Sequence, residues 1–328
     1  MKKHFTHSFS ISGLARTCLL MAFLCSGFTL MAQDSTAPAE KKSKAKKTAA
    51  AKDTTTAAPV IKRNPYVKNT FDGNFIIDNQ TVMVPVKGTF EFDIQHRFGT
   101  IINGSADLFG IFAGATMKLG FSYTPVNNLQ IGFDATDENM EVDWNLKYAI
   151  LKQTKDGSTP VSITYFGNIA MDTRKRDSIN LFTSVSDRLS YFSQIIIARK
   201  FSEGFSLQIS PSLSGFNNPA GYLDVNGDQL PKWNGVHFSI SASGRYKISD
   251  GSSLIANYDQ PLAQQPGGNT PRPNLSFGIE FKTSGHDFEI FIGNYSSLLA
   301  QNNNLYNPND FTKGQFLIGF NISRLWNF

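Results

Sequence analysis

Nine charged residues fall at alternate positions along runs that are otherwise apolar: Glu91, Asp93 and Arg97; Lys118; Glu141, Asp143 and Lys147; and Arg245 with Lys247. Residues two apart on an extended strand share a face, so each set lies on one side of its strand. Opposed carboxylates and cations on an enclosed face do the chemistry of a charged constriction, which sorts small polar solutes. The same residues read equally as a lumen closed by its own ion pairs, or by the lead-in segment 65–88 folded inside it.

Catalysis finds less support. After residue 32 histidine occurs only as His96, His237 and His286, and both cysteines, Cys18 and Cys25, precede that point. The remaining chain has no thiolate nucleophile, disulfide or cysteine metal site. Metal ligation would want further histidines or carboxylates at close strand spacing, and none accompanies His96, whose neighbour Arg97 points to the opposite face. A hydrolase built on a histidine is a third reading, but no serine or aspartate partner is singled out. Gly267-Gly268 after Pro266 is turn chemistry rather than a phosphate loop. No catalytic residue, metal or cofactor is assigned.

The elements that position the charged set are strands. Twelve candidates follow Thr89: 89–98, 115–124, 129–136, 140–152, 161–172, 189–199, 205–213, 236–248, 253–260, 275–282, 287–295 and 315–328. In the first, Phe90, Phe92, Ile94, His96 and Phe98 oppose Thr89, Glu91, Asp93, Gln95 and Arg97. In the last, Phe316, Ile318, Phe320 and Ile322 oppose Gly319, Asn321 and Ser323, and the strand ends on Leu325-Trp326-Asn327-Phe328. Ile195-Ile196-Ile197 interrupts the alternation of the sixth, and the ninth is short. Apolar atoms toward lipid, polar atoms toward a lumen and aromatics such as Trp144, Tyr148, Trp326 and Phe328 at the interfaces are what a closed membrane barrel requires. Connections alternate between short and long, with 137–139 the exception, as an even barrel demands. The expectation is an all-β, closed antiparallel transmembrane β-barrel of about twelve strands, ten or fourteen being the alternatives, with a disordered N-terminal arm.

Residues 1–32 read as a secretory signal: Lys2, Lys3 and Arg16, then an apolar run from Leu19 to Leu30, then a cut at Ala32/Gln33. That run is too short for a membrane helix. Residues 33–64 are rich in Ala, Lys, Thr and Pro, cannot bury enough apolar area to fold, and form a basic periplasmic linker. The chain carries 31 basic and 26 acidic residues, yet residues 65–328 hold 20 and 23 of them. The folded part is therefore mildly acidic, which argues against nucleic acid as a partner.

Phe92-Asp93-Ile94-Gln95-His96-Arg97-Phe98-Gly99, with Leu108-Phe109-Gly110 after it and Phe71 and Phe75-Ile76-Ile77-Asp78-Asn79-Gln80-Thr81 before it, resembles a family of Bacteroidetes-type outer-membrane β-barrels of unknown function. The resemblance covers about Phe71 to Phe328 and is most specific at His96-Arg97-Phe98-Gly99. It implies a fold and a location, and no activity. His96 itself reads as an interfacial side chain.

Together these readings point to the outer membrane of a Gram-negative bacterium, with the arm in the periplasm. Expected partners are outer-membrane lipid, the barrel assembly machinery through the strand ending at Phe328, a small polar solute and an anionic periplasmic polymer at the arm. The function expected is a narrow channel. The alternative is a plugged barrel that binds a partner or ligand through loops such as 214–235, with Tyr222 and Trp233.

Overall fold

Hydrocarbon cannot pair with backbone polar groups, so a sheet crossing it must close on itself. The computed structural model, which describes residues 65–175, 182, 184–218, 235–262 and 270–328, shows this closure in twelve antiparallel strands. A two-stranded hairpin, β1 (Phe75–Ile76) and β2 (Asn79–Gln80), comes first. The barrel follows: β3 (Thr89–Thr100), β4 (Thr116–Val126), β5 (Leu129–Thr136), β6 (Glu141–Leu151), β7 (Ser162–Asp172), β8 (Leu189–Lys200), β9 (Phe205–Phe216), β10 (Val236–Ser249), β11 (Ser252–Pro261), β12 (Asn274–Lys282), β13 (His286–Gly293) and β14 (Leu317–Asn327). Consecutive strands pair, and β14 closes on β3 from Asn327 opposite Thr89 to Leu317 opposite Thr100. The expected number of strands and the pairing of last with first are both observed.

Boundaries differ from expectation by a few residues for local reasons. β14 begins at Leu317 because Gln315 turns aside, its Oε1 accepting the Asp310 amide at 2.7 Å. β9 runs on to Phe216, and β11, weak in the sequence, is a regular strand of 10 residues between two full partners.

Polar residues face inward and apolar residues outward along most of each strand. On β9, Ser206, Gln208, Ser210, Ser212 and Ser214 are buried inside the barrel, while Ile209 and Leu213 face outward and exposed. Met117, Phe121, Tyr123, Ile131, Phe133, Leu146, Ile240, Phe277 and Ile290 share the outward surface. In water such a band would drive association; against acyl chains it is the stable arrangement. Among the described residues no helix is long and apolar enough to cross a membrane.

We call the end where β3 begins and β14 ends the near end. There strands are joined by two to four residues, except at 152–161; at the far end the connections are longer, except at 137–140. The far loop after β13 carries a short helix, α1 (Ala300–Tyr306). The far loop after β3 is pinned by glycines. The Gly99 amide donates to the Gly110 carbonyl at 3.1 Å, and Leu108, Phe109 and Gly110 all take left-handed φ, of 53°, 55° and 85°. A Cβ on Gly110 would drive into the Gly99 backbone, whereas one on Gly104, also at positive φ, would meet open space. Gly110→Ala is therefore expected to cost about 2 kcal/mol and Gly104→Ala less. Thermal unfolding in detergent, read by circular dichroism and gel mobility, measures both; equal losses would remove the steric account.

Candidate functional site

The barrel interior is occupied. The chain enters at the near end, where Val67 donates to the Gln153 carbonyl at 2.8 Å, and turns within the lumen at Ile77 and Asp78. It returns to the near end at Gly88, whose amide donates to the Thr124 carbonyl at 2.9 Å. The wall holds this plug by its backbone: the Asn257, Asn321 and Gln208 side chains donate to the carbonyls of Ile76, Ile77 and Gln80 at 2.7, 2.8 and 2.8 Å. Thr164 Oγ1 donates to the Val82 carbonyl at 2.9 Å, and Lys147 Nζ to the Asn74 carbonyl at 3.0 Å.

Arg97 is the centre of this seat. It is 1 % exposed; its Nη2 donates to Asp78 Oδ1 at 2.9 Å and to the Ile77 carbonyl at 3.3 Å, and its Nη1 to Asn321 Oδ1 at 2.9 Å. Its guanidinium also lies 4.5 Å from the centre of the Phe291 ring. A planar five-donor fork suits this convergence of acceptors and an aromatic face; an ammonium would not. Arg245 binds both Asp72 of the plug and Glu280 of the wall, and Lys282 reaches Asp72 at 2.9 Å.

Apolar contacts complete the seat. Phe71, Ile76, Ile77 and Val82 of the plug pack with Phe166, Phe192, Ile196, Ala198, Ile255 and Phe291 of the wall in one buried cluster. Each large side chain so buried contributes roughly 1.5–3 kcal/mol. This explains the interruption at Ile195-Ile196-Ile197: Ile196 faces inward with no exposure, against the plug. Ile77 is at φ 56°, a left-handed conformation that costs a β-branched residue about 1–2 kcal/mol. Its burial, and the bond from its amide to Glu289 Oε2 at 3.1 Å, hold it there.

A second insertion comes from the far end. Gln301 to Leu305 of α1 are buried, with Gln301 donating to Asn168 at 3.1 Å, Asn302 to Glu141 at 2.7 Å and Asn304 to Ser214 at 3.0 Å. Glu138, in the β5–β6 turn, accepts from the Ser297 hydroxyl and the Leu298 amide ahead of the helix, and burial there pushes its carboxyl up. By the alternation of short and long connections, the stretch before β14 counts as one of the long ones, with no insertion expected from it. The uncharged run Leu298-Leu299-Ala300-Gln301-Asn302-Asn303-Asn304-Leu305 was the available signal. Between the two insertions lies a void of about 30 Å³ bounded by Asp78, Asp134, Asp143 and Lys118, and nearer the plug one of about 10 Å³ beside Glu91 and Lys147. These have room for two waters and one.

The structure distributes the charged residues unevenly. Glu91, Asp93, Asp134, Glu141 and Asp143 are buried on β3, β5 and β6 beside Lys118 and Lys147, and Asp259, Glu280, Asp287 and Glu289 are buried on β11–β13 beside Arg245. Asp172 and Arg97 complete the set, giving ten buried carboxylates and four buried cations on the described strands. Six of these acids, Asp134, Asp172, Asp259, Glu280, Asp287 and Glu289, were not singled out from the sequence, although they fall in the inward register. Lys247 departs from its expected place: it sits at the near rim, half-buried, with Nζ 2.8 Å from Asp250 in the turn, because a register shift follows it.

The remaining named residues face outward, except His237, which is 1 % exposed and shares the inward register of β10 with Ser239 and Ser241. His96 is stacked on Phe320 at 5.0 Å between centroids and lies 4.4 Å from Phe98; His237 and His286 sit on other strands, against Phe216 and Phe288. Trp144 and Tyr148 are exposed, Trp144 lying 5.7 Å from Phe133. Trp326 packs 5.7 Å from Phe90 with Arg324 over its ring, and Phe328 is 91 % exposed. The signal (1–32), the arm (33–64), Tyr222, Trp233 and Gly267-Gly268 lie outside the described residues.

Comparison with curated proteins found no match. Among solved structures the chain is similar to the NanC porin, at 9 % identity and TM-score 0.45 over 73 % of this chain and 99 % of that one. It is similar to an outer membrane channel from Pseudomonas putida F1, at 11 % identity and TM-score 0.44 over 74 % and 97 %. It is also similar to the KdgM porin, at 8 % identity and TM-score 0.40 over 73 % and 99 %. A family described as "Membrane bound beta barrel domain (DUF5777)" matches residues 71–326, which take in the inner hairpin and all twelve strands but for the last residue of β14, and the chain belongs to it.

Proposed function

We propose that the protein is an outer-membrane channel for small polar solutes in a Gram-negative bacterium, closed in this conformation and opened by movement of the hairpin plug. The observation that carries this reading is the mixture of contacts on the plug. It is held by hydrogen bonds and ion pairs that water or a solute can replace, and its tip stores strain at Ile77. A segment meant as permanent filling would have a relaxed tip; strain is kept where two states matter. In this reading the near end is periplasmic, residues 1–32 are the cleaved signal, and the arm 33–64 meets an anionic polymer there. The strand ending at Phe328 is the handle for the barrel assembly machinery.

The apolar cluster around Ile76 and Ile77 favours a second reading, a permanently plugged barrel that acts by binding through its far loops. The hydrolase reading gains no geometry, since the three histidines stand on different strands. One of the similar structures is a KdgM porin in complex with oligogalacturonate, an acidic polymer. An interior with ten carboxylates and four cations suits a different solute.

Planar-bilayer recording separates the channel from the permanent plug. The full chain is expected to be mostly silent with rare discrete steps. Asp72→Asn with Asp78→Asn cuts the plug's ion pairs and should raise open probability tenfold to a hundredfold, at roughly 1.4 kcal/mol per severed set. Cysteines placed by Asn79→Cys and Asp259→Cys, at side chains now 2.7 Å apart, and joined by a short cross-linker, should abolish every step. Arg97→Lys keeps the charge but loses the fork, so it is expected to open the channel almost as much as Arg97→Ala. Steps that persist unchanged in the cross-linked protein would show that the solute path does not pass the plug; silence in every variant would leave the binding barrel.

A further inference from the structure

We infer that the passage selects cations, so that its solutes are small positively charged or amine-bearing molecules. This rests on the channel reading and gives it a substrate class. Asp93, Asp134 and Asp143 lie in one register row across β3–β6, with only Gly120 between the first two. A side chain at Gly120 would collide with Asp93 and crowd Asp134, so the glycine is what lets the carboxylates crowd together. Across the lumen Glu280 stands directly opposite Glu289. Like charges facing each other on neighbouring strands destabilise a sheet, and a structural interior would place a cation or an amide between them.

The available cations do not cover these acids. Lys118 reaches Asp134 at 3.2 Å, and Arg245 reaches Glu280 at 2.6 Å, so in each opposed pair only one member has a positive partner. Asp143 has the Asn145 amide at 3.4 Å, and Glu289 has Asn321 and the Ile77 amide. Independently of that pattern, three buried carboxylate oxygens have no hydrogen-bond partner: Glu91 Oε1, Asp287 Oδ1 and Glu289 Oε1. Glu91 and Glu289 are 2 % and 3 % exposed and turned into the lumen, so their bare oxygens are acceptors awaiting a donor from within it. The void of about 30 Å³ opens on Asp134 and Asp143. Lys200 and Lys247 at the rim do not offset the excess, because they are paired with Glu203 and Asp250. With the plug displaced, the wall's ten buried carboxylates still exceed its cations by four once Arg174, on Asp172, and Lys282, freed of Asp72, are counted with the four buried ones, and the departing Ile77 amide and Asn79 amide leave Glu289 and Asp259 emptier still. Low-dielectric walls focus such a charge on the path.

The test is the reversal potential of the full chain carrying Asp72→Asn and Asp78→Asn, which loosen the plug and leave the wall untouched, under a potassium chloride gradient. A preference for potassium over chloride of about tenfold at 0.1 M salt is expected, falling toward unity at 1 M, where the Debye length drops from about 10 Å to 3 Å. Adding Asp134→Asn and Asp143→Asn, near-isosteric and checked for folding by gel mobility, should reduce the preference about threefold; Lys118→Gln should increase it. Steps with no preference, or with a preference for chloride, overturn cation selection while leaving the channel in place. Absence of steps in every variant overturns the channel and the selection with it.

Discussion

Every backbone group that meets hydrocarbon must find its partner inside the protein, and the rest of this molecule follows from that constraint. It forces β14 onto β3, and with strands alternating, closure turns one whole face of the sheet inward. A ring of twelve strands is wider than its own side chains can fill. The inward residues here are serines, asparagines, glutamines and acids of modest size, and they leave a core that must hold either water or more chain. Among the described residues two pieces of chain enter, the hairpin from the near end and α1 from the far end.

The hairpin shows how polar and apolar terms divide the work of seating. Burial of Phe71, Ile76 and Ile77 against Phe166, Phe192 and Phe291 supplies most of the attraction, while the bonds to Arg97, Asn257 and Asn321 set where the hairpin stops. A buried ion pair adds little net stability over an apolar substitute, yet losing one partner costs about 3–5 kcal/mol. Arg97 thus fixes position more than it adds attraction. Its neighbours in the chain serve the opposite side of the wall: His96 and Phe98 pack outward around Phe320, and Gly99 anchors the far loop. Four consecutive residues connect the outer surface, the plug and the far end.

Much of the barrel was legible because a closed sheet repeats one local rule. Glu91, Asp93, Arg97, Lys118 and Lys147 could be placed on a common face from period two alone, and strand ends from turn residues such as Asn127-Asn128. What fills the barrel was less legible, since it depends on contacts between distant residues: Asp72 with Arg245, Asn79 with Asp259, Gln301 with Asn168. Ile196, in the run that interrupts the alternation of its strand, is in fact part of the seat of the plug, with Phe166 beside it in the inward register. Lys247 followed the same period but the strand slips after it, and a rim residue has a turn acid within reach. The residues 137–140, short where a far loop should be long, let Glu138 bind the start of the inserted loop.

Amide hydrogen exchange of the protein in lipid, resolved at Ile77 and Thr81 beside the strands β3 and β14, addresses the central claim most directly. A displaceable plug predicts that these two amides are protected well above a free peptide but exchange faster than the strand ladder, by release of the hairpin while the barrel stays folded. Exchange of Ile77 and Thr81 only as slowly as the β3–β14 ladder would show a fixed filling instead, and exchange at the rate of a free peptide would show that the hairpin is not seated in the lumen at all.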